Sequence, residues 1–303
     1  MTDTAICVPV YQAARRFLPE FNAALIAAAL PHRAAVHLTV DDLAEPDADF
    51  APLAEAGLEV AIQHAPPRSS PAEVREAMLH AAIRSEAEIL VFTDFDDLLQ
   101  PDAVVTHKDA LGDAEFSYGD QLLVDVAGRA MGSSLYAAWQ VPEAVSDPAV
   151  LLDGNFAGFS GAAIRRSFLA SAFRSIPASV KATDWYVFNS LLFAGGRGRR
   201  CRKPVVRYRQ WTGNIHGGHR VSSDLHDFGQ RRVIAERHFR ALPDVPDVLR
   251  RRRAIDRLGQ IIADNPPSLQ PAIDKACERP AFWYADVVGL ALTLLSTEEI
   301  ESA

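Results

Sequence analysis

The first hundred residues alternate between short apolar runs and longer amphipathic stretches. Runs rich in Val, Ile, Leu and Phe lie at residues 5–10, 34–40, 58–63 and 88–92, and they predict buried strands. The stretches between them predict helices, and the clearest one, at 71–85, has on one face Val74, Met78, Ala81 and Ala82. Strands joined by helices pair in parallel through right-handed crossovers. The pattern therefore predicts a doubly wound α/β sheet whose ligand site lies at the carboxyl ends of its strands.

The regular alternation of predicted strands and helices does not continue in the second half of the chain. Residues 114–126 predict one or two strands, whereas the stretch 154–161 contains too many glycines for a regular element. A further helix is predicted at 183–194, where a glycine follows and stops it. Beyond Asp224 the pattern predicts helices that are broken by three prolines, Pro243, Pro266 and Pro280.

Composition allows a full-sized core and excludes several classes of protein. The 303 residues are 49% hydrophobic and 23% charged, which is the balance of a folded chain. The net charge of −8 argues against nucleic acid as a partner, because affinity for nucleic acid comes largely from neutralised phosphates. The 3 cysteines form no CxxC pair, which indicates a reducing compartment rather than a disulfide framework or a structural zinc site.

Two features bear on location. The amino-terminal residues lack the basic start and apolar core of a signal peptide, which favours a cytoplasmic protein. The longest apolar run, 281–296, contains Asp286 and is shorter than the roughly 20 residues that a bilayer-spanning helix needs, so docking onto the core or a homodimer contact is favoured. The arginines at 250–253 predict a helix face, with peripheral association at the inner face of the membrane as the alternative.

The apolar strand at 88–92 is followed at once by three carboxylates, Asp94, Asp96 and Asp97. Asp94 and Asp96 are two residues apart, so on an extended backbone they point to the same side. Like charges so close raise one another's pKa unless a cation lies between them, and hard carboxylate oxygens suit Mg²⁺ or Mn²⁺. The cluster therefore predicts a divalent ion that holds a diphosphate. The alternative is that Asp96 and Asp97 cap a helix entered at Pro101.

Glycine motifs that bind phosphate are absent. No GxGxxG follows the first strand and no GxxxxGK[ST] occurs in the chain, so neither a dinucleotide-binding fold nor a P-loop has the glycines it needs. Phosphate would then be held by a metal ion or by cationic side chains.

Five short motifs occur in the order and rough spacing of a known family. They are Pro9-Val10-Tyr11-Gln12, Val40-Asp41-Asp42, Asp94-Phe95-Asp96-Asp97, Thr183-Asp184-Trp185 and Tyr208-Arg209-Gln210-Trp211-Thr212-Gly213-Asn214-Ile215-His216-Gly217. Through them residues 4–220 resemble the inverting nucleotide-sugar glycosyltransferases of family 2, and the chain is similar to bacterial rhamnosyltransferase-like members. The resemblance implies the GT-A fold, a Rossmann-like α/β domain with a mostly parallel central sheet flanked by helices, here with a helical C-terminal region.

The resemblance also implies a division of the chain and a set of partners. A GT-A domain at 1–220 would contain a nucleotide-binding half, 1–112, and an acceptor-binding half, 113–220, with a helical extension at 221–303. The donor would be a UDP, dTDP or GDP sugar. The acceptor would be a hydroxyl of a glycan, a lipid-linked molecule or a small molecule, as in polysaccharide biosynthesis. Mn²⁺ or Mg²⁺ would be the cofactor.

The motifs carry over three groups of site residues. The nucleotide sugar would contact Pro9, Tyr11, Asp41, Arg75, Asp94 and Phe95, where Arg75 echoes the family's Ala-Arg-Asn motif. The metal would bind Asp94, Asp96 and His216, with His219 as the alternative imidazole. The acceptor or sugar would contact Trp185, Trp211 and Asn214. Each of these tryptophans, and Trp139 with them, fits a core position equally well.

Asp184 would be the catalytic base. Inversion requires a carboxylate within hydrogen-bond reach of the acceptor hydroxyl, which attacks the anomeric carbon from the face opposite the diphosphate. From the residues alone, the alternative is that Asp184 stabilises the start of a helix through the helix dipole. The next carboxylate to consider as the base is Asp153.

Two other functions remain open. A phosphohydrolase of the haloacid-dehalogenase type also places Asp-x-Asp after a strand, but its pair normally follows the first strand. A non-catalytic protein that binds nucleotide sugars is the second, because Trp211 stands where many members of the family have His.

Overall fold

The computed structural model describes residues 3–137, 139–212, 222–264, 266–278 and 283–301. Two sheets and the helices around them make up this part of the chain. No helix within these ranges is long and apolar enough to cross a membrane.

The strands of the described residues are short, as is usual for an α/β protein. In chain order they are β1 Thr4–Val10, β2 Ala35–Val40, β3 Val60–His64, β4 Ile89–Phe92, β5 Leu98–Leu99, β6 Phe116–Tyr118, β7 Gln121–Val124, β8 Ala130–Ser134, β9 Ala144–Val145, β10 Ala162–Arg165, β11 Gly198–Arg200 and β12 Val206–Arg209.

Helices connect these strands and then form the C-terminal region. In chain order they are α1 Leu18–Ala29, α2 Pro46–Glu55, α3 Pro71–Arg84, α4 Ala103–Leu111, α5 Ala149–Leu152, α6 Arg166–Ala172, α7 Thr183–Phe193, α8 Leu225–Ala241, α9 Pro246–Asp264, α10 Leu269–Cys277 and α11 Ala285–Glu301. Short 3-10 helices at Gln12–Phe17 and Leu30–His32 flank α1.

The larger sheet has the strand order β3-β2-β1-β4-β10-β6-β11-β9. Its first four strands are parallel, and β10 runs antiparallel to its neighbours β4 and β6. Because Val10 pairs with Val40 and Cys7 with Phe92, the carboxyl ends of β1, β2 and β4 meet at one edge. This confirms the predicted mostly parallel α/β sheet.

The smaller sheet has the order β5-β12-β7-β8. Strand β12 pairs antiparallel with β5, the strand that follows the acid cluster directly in the chain. On its other side β12 pairs parallel with β7. The sheet therefore brings residues near position 208 next to residues near position 97, more than a hundred positions earlier in the chain.

Two elements differ from the sequence pattern. Helix α2 occupies a stretch rich in acids and prolines, and its apolar side is reduced to a few buried positions such as Phe50 and Leu53. Strand β10 has the sequence AAIR, in which small alanines give no β signal. It is a strand because it fills the buried place between β4 and β6.

Three hydrophobic cores hold these layers together. Two lie on the faces of the large sheet, and the third joins α8, α9, α10 and α11 to α7. Trp185 of α7 is fully buried in this third core, where the rings of His238 and Tyr284 stack on it with centroids 3.7 and 5.1 Å away. The C-terminal helices are therefore packed on the α/β part through a shared core.

The arginine run of α9 has partners within the protein. Arg251 is buried and forms an ion pair with Asp153 at 2.7 Å, and Arg252 pairs with Asp244 at 2.9 Å. The run is therefore helical, as predicted, with Arg250 and Arg253 exposed and Arg251 on the buried side of α9.

Candidate active site

A cavity of about 360 Å³ opens at the edge where β1, β2 and β4 end. Its wall includes residues at or just after each of these ends: Pro9, Tyr11, Asp41, Asp94 and Asp96. Crevices at the carboxyl ends of parallel strands are the usual ligand sites of doubly wound sheets. The alternation of strands and helices therefore predicts the place of this cavity.

The other walls come from distant parts of the chain. Helix α3 begins with a capping box between Ser70 and Glu73 and places Arg75 in the wall just after its first turn. The start of α7 contributes Thr183 and Asp184. Both helices pack in the same core on one face of the large sheet, so this part of the wall lies on one side of it.

The acid cluster is a turn, not the extended segment that the spacing predicts. The Asp97 amide donates to the Asp94 carbonyl at 3.1 Å, and this turn sends neighbouring side chains in different directions. Asp94 and Asp96 line the cavity, while Phe95 and Asp97 are fully buried. Phe95 packs in the core against Phe21 and does not line the cavity, unlike the nucleotide contact suggested for it.

The capping alternative for this cluster does not fit the structure. Helix α4 begins at Ala103, after β5, and its N-cap residue is Asp102. Asp96 and Asp97 instead accept hydrogen bonds from side chains and backbone elsewhere in the fold.

Asp94 is paired with a cation. The guanidinium of Arg75 donates to Asp94 Oδ1, and the same guanidinium lies over the ring of Phe159, 5.2 Å from its centroid. Burial opposes the charge of Arg75, yet the Asp94 carboxylate holds the pKa of that guanidinium above its usual range. A permanent positive charge therefore lies in the cavity wall, where a phosphate could reach it.

Asp96 is held by two donors. The hydroxyl of Tyr11 donates to Oδ1 at 2.9 Å and the indole of Trp211 to Oδ2 at 2.7 Å. Burial, and then the charge of Asp94, raise the pKa of Asp96 above its ordinary value. Negative charge is therefore crowded at this point of the cavity.

Asp97 is fully buried, and its hydrogen bonds stabilise the acid turn. Its carboxylate accepts from the Ser160 hydroxyl and from the backbone amide of Arg209 at 2.9 Å. Arg209 is itself fully buried and donates to the Asp96 carbonyl at 3.0 Å and to Glu20 at 2.6 Å. Strand β12 therefore fixes the acid turn from behind through these contacts.

Asp184 lies at the start of α7 and lines the same cavity. Its Oδ1 accepts from the Trp185 amide at 2.8 Å, so the residue contributes to the start of the helix as well as to the cavity. Burial raises the pKa of Asp184 to about 6, against the opposing effects of this hydrogen bond and of the Arg75 charge. A carboxylate with such a pKa can accept a proton near neutral pH.

Several predicted contacts lie elsewhere. Trp185 is fully buried in the third core, and Trp139 packs against the first core; neither lines the cavity. Asp153 is exposed and paired with Arg251, also outside the cavity. Asn214, His216 and His219 lie outside the described residues.

Some wall residues gave little or no signal in the sequence. Gln121 and Lys181 belong to no motif, and Ser160 lies in the glycine-rich stretch that was interpreted only as irregular. Tyr208 opens the fifth motif but was given no role there. Trp283 lies in the apolar run at 281–296, whose pattern favours packing on the core or a dimer contact, yet it lines the cavity.

Only part of a metal site can be seen in the part of the chain that is described. Asp94 and Asp96 face one cavity, and their oxygens are the donors that Mn²⁺ and Mg²⁺ prefer. Among the described residues no group of three His, Cys, Asp or Glu could hold an ion. The residues therefore fit a cation held by one or two carboxylates and completed by phosphate oxygens and water, as is common for Mg²⁺.

Comparison with known proteins gives structural neighbours but no sequence relatives. No family model matches the chain, and no curated protein matches it. The structure of TarS 1-349 from S. aureus in complex with UDP-GlcNAc matches 99% of this chain and 92% of its own, with a TM-score of 0.57 and 14% identity. The mannosyltransferase PcManGT from Pyrobaculum calidifontis, in complex with GDP-Man and Mn²⁺, matches 99% of this chain and 80% of its own, with a TM-score of 0.56 and 17% identity.

At these identities the comparisons establish the fold. The chain has the α/β fold of GT-A type, with a mostly parallel sheet flanked by helices and a helical C-terminal region, as the sequence motifs implied.

Proposed function

We propose that this protein is an inverting, metal-dependent glycosyltransferase that moves a hexosyl or deoxyhexosyl group from a nucleoside-diphosphate sugar to a hydroxyl. One observation carries the proposal. A single cavity at the carboxyl edge of the sheet contains the Arg75–Asp94 pair, Asp96 and Asp184 with its raised pKa. Such a transfer needs charge stabilisation for a diphosphate and a base for an acceptor.

The donor would lie along the ends of β1 and β2. Pro9, Tyr11 and Asp41 form that part of the wall, and Arg75 offers its charge to the diphosphate. The structural neighbours support a nucleotide sugar as the ligand, because they contain UDP-GlcNAc in one case and GDP-Man in the other. UDP, dTDP and GDP sugars are therefore the donors to test.

Asp96, with Asp94, would hold Mn²⁺ or Mg²⁺, which when bound neutralises the departing diphosphate as a Lewis acid. Tyr11 and Trp211 fix the orientation of the Asp96 carboxylate through its two oxygens. The buried contacts of Asp97 with Arg209 hold the turn in place. These residues therefore act by preorganisation of the charged groups.

Asp184 would accept the proton of the acceptor hydroxyl as that oxygen attacks the anomeric carbon. The bond from the anomeric carbon to the diphosphate oxygen breaks, and the electron pair leaves with the diphosphate. Asp184 belongs to α7, whereas Arg75 and Asp94 belong to α3 and to the turn after β4. The base and the diphosphate site would therefore come from separate elements, and inversion would require attack and departure on opposite faces of the sugar. The acceptor would be a glycan, a lipid-linked molecule or a small molecule, reached in the cytoplasm or at the inner face of the membrane.

Calorimetric titration with UDP, dTDP and GDP, with Mn²⁺ and then with EDTA, tests the donor side. We expect one nucleotide to bind in Mn²⁺ and to bind much more weakly in EDTA. Asp96→Ala should abolish the metal-dependent part, while Asp113→Ala, which removes an exposed carboxylate paired with Arg197, should bind like the wild type.

Three results would contradict parts of the proposal. If none of the nucleotides binds, the assignment as a glycosyltransferase is wrong. Equal binding in EDTA would remove the metal ion and leave Arg75 as the cation for the diphosphate. Binding of a nucleotide sugar without transfer or slow hydrolysis would favour a non-catalytic protein that only binds the donor.

A further inference from the structure

Trp283 belongs to the C-terminal region but lies in the wall of the cavity. All four tryptophans of the chain are among the described residues, and they are used differently. Trp185 is fully buried, Trp139 packs on the first core and Trp211 donates to Asp96. Trp283 is the tryptophan whose side chain lines the cavity.

The indole of Trp283 is held against the wall by contacts with distant segments. The Trp283 carbonyl accepts from the Asn155 amide at 3.3 Å, which forms an isolated bridge between the two backbones. Gly158 lies so close that a Cβ atom at this position would be 3.3 Å from the ring. The ring of Tyr208 meets the indole edge-on, with centroids 6.4 Å apart. The indole is thus an ordered part of the wall.

The backbone after Trp283 is turned sharply. Tyr284 has a φ of 71°, in the left-handed region that bulky residues rarely adopt. Its ring is buried and stacks on Trp185, while the preceding side chain, Trp283, lines the cavity. Strained backbone of this kind persists only where the surrounding structure fixes it and is common at ligand sites.

This turn places Trp283 at the Asp184 end of the cavity. Tyr284, its neighbour, stacks on Trp185, which follows Asp184 in α7. The charge of Asp184 also acts on the Tyr284 hydroxyl, whose pKa is raised by burial first and by Asp184 next. The carboxylate proposed as the base and the indole both line the cavity and adjoin the stacked pair Trp185–Tyr284, one on each chain segment.

An indole face is suited to one kind of acceptor. The C–H face of a pyranose ring is apolar and flat enough to pack on a large aromatic ring, whereas its hydroxyls need polar partners. Next to the indole the wall contains the side chain of Gln121, whose Nε2 donates to the Ser160 carbonyl and whose Oε1 has no partner among the described residues, and Lys181 lies exposed at the same cavity. The combination of a flat apolar surface with polar groups beside it is typical of sugar recognition.

We propose that Trp283 is the stacking platform of the acceptor subsite and that the acceptor is a carbohydrate that presents a pyranose ring to Asp184. This inference rests on the proposed function and specifies its acceptor. It also assigns the C-terminal helical region a part in specificity, since that region supplies the residue.

The test uses the full chain, the nucleotide sugar that binds in the donor screen, and a panel of methyl pyranosides in gluco, galacto, manno, rhamno and N-acetylgluco forms. We expect at least one pyranoside to accelerate donor consumption. Trp283→Ala should raise the KM for that pyranoside about tenfold, because a stacking contact is lost, and should leave kcat within about twofold. The KM for the donor and the slow hydrolysis of the donor should not change.

Two further variants separate stacking from folding. Trp283→Phe keeps an aromatic face and should recover most of the affinity for the pyranoside. Leu294→Ala removes apolar bulk from α11 in the third core, away from the cavity, so it should lower the melting temperature and leave the KM for the pyranoside unchanged. If Trp283→Ala does not fold, Trp283→Leu replaces it, since leucine fills part of the space without an aromatic face.

The proposal is overturned if no pyranoside is an acceptor, or if Trp283→Ala keeps the wild-type KM for the pyranoside. A KM for the donor that rises as much as the KM for the acceptor would also overturn it, because the platform would then serve the donor sugar. Failure of the proposed function would give a different result from failure of this proposal. The wild type would then neither bind a nucleoside diphosphate nor consume a nucleotide sugar.

Discussion

Two carboxylates near the cavity show how side-chain surroundings separate a structural role from a chemical one. Both Asp97 and Asp184 have a pKa raised by burial. The carboxylate of Asp97 meets the Ser160 hydroxyl and the Arg209 amide inside the protein, whereas Asp184 lines the cavity. Of the two, Asp184 is placed to act on a bound molecule.

Asp184→Asn is expected to retain donor affinity and to lower transfer by about two to four orders of magnitude. Asn keeps the size and the hydrogen bond from the Trp185 amide but does not accept a proton. The measurement is the transfer rate at saturating donor, with Asp153→Asn as the control because Asp153 is exposed and lies outside the cavity. Transfer within about tenfold of the wild type would assign the base to another residue.

The pH dependence follows from the pKa of about 6 at Asp184. As a base it acts ionised, so kcat/KM should fall about tenfold per pH unit below 6 and level off above it. Asp184→Asn should lack this inflection. A profile with the same inflection in both proteins would show that a different group titrates.

The raised pKa of Asp184 also makes stability depend on pH. Rising pH increases the activity but decreases this contribution to stability. Folding raises this pKa from its ordinary value of 3.8, so the folded state binds the proton more tightly. The group therefore contributes stability below pH 3.8, and this contribution is lost as the pH rises through 6. At pH 8 Asp184→Asn should be no less stable than the wild type in urea unfolding, although it is less active.

At the scale of elements, close packing of strands depends on particular glycines. A Cβ atom at Gly198 of β11 would lie 2.3 Å from the ring of Phe116, which belongs to the neighbouring strand β6. At Gly229 in α8 the same atom would meet nothing within 4 Å. The two glycines therefore predict opposite effects for the same substitution.

We expect Gly198→Ala to lower the free energy of unfolding by about 1–3 kcal/mol, because buried rings cannot move aside without strain. Gly229→Ala should raise it by about 0.5–1 kcal/mol, because alanine loses less backbone entropy in a helix. Urea unfolding of the two variants measures both effects. If both variants are equally stable, the Phe116 ring does not prevent a side chain at position 198, and this part of the prediction is wrong.

At the scale of the whole molecule, the C-terminal helices and the α/β part share the third core. The sequence motifs suggested a domain that ends at residue 220, and that boundary remains an interpretation. The packing of His238, Phe239 and Tyr284 on Trp185 argues that the two parts depend on each other.

A chain that ends at residue 220 is therefore expected to lose cooperative unfolding. Exposing a large buried side chain such as that of Trp185 costs about 1.5–3 kcal/mol, a sizeable part of the 5–15 kcal/mol that stabilises a typical domain. Circular dichroism during heating measures this, and Leu249→Ala, at an exposed leucine of α9, should melt like the wild type. A truncated chain with a sharp transition close to that of the full chain would establish 1–220 as an independent domain.

The sequence by itself determined the architecture and one side of the site. Buried strands need continuous apolar runs and helices need a repeat near 3.6, so β1, β2, β3, β4 and α3 could be predicted from local pattern. The order of the strands then places Pro9, Tyr11, Asp41, Asp94 and Asp96 at one edge, because carboxyl ends of parallel strands meet there.

Only the tertiary structure decided how these side chains are used. The partners of Asp94, Asp96 and Asp97 come from α3, from the residues after β12 and from the turn before β10, and no local pattern encodes such distant contacts. The positions of Trp185 and Trp283 could likewise not be predicted from the sequence, because an aromatic residue in an apolar stretch fits a core or a cavity wall equally well. Packing of the C-terminal region on α7 decides between them, since it buries Trp185 and leaves Trp283 at the cavity.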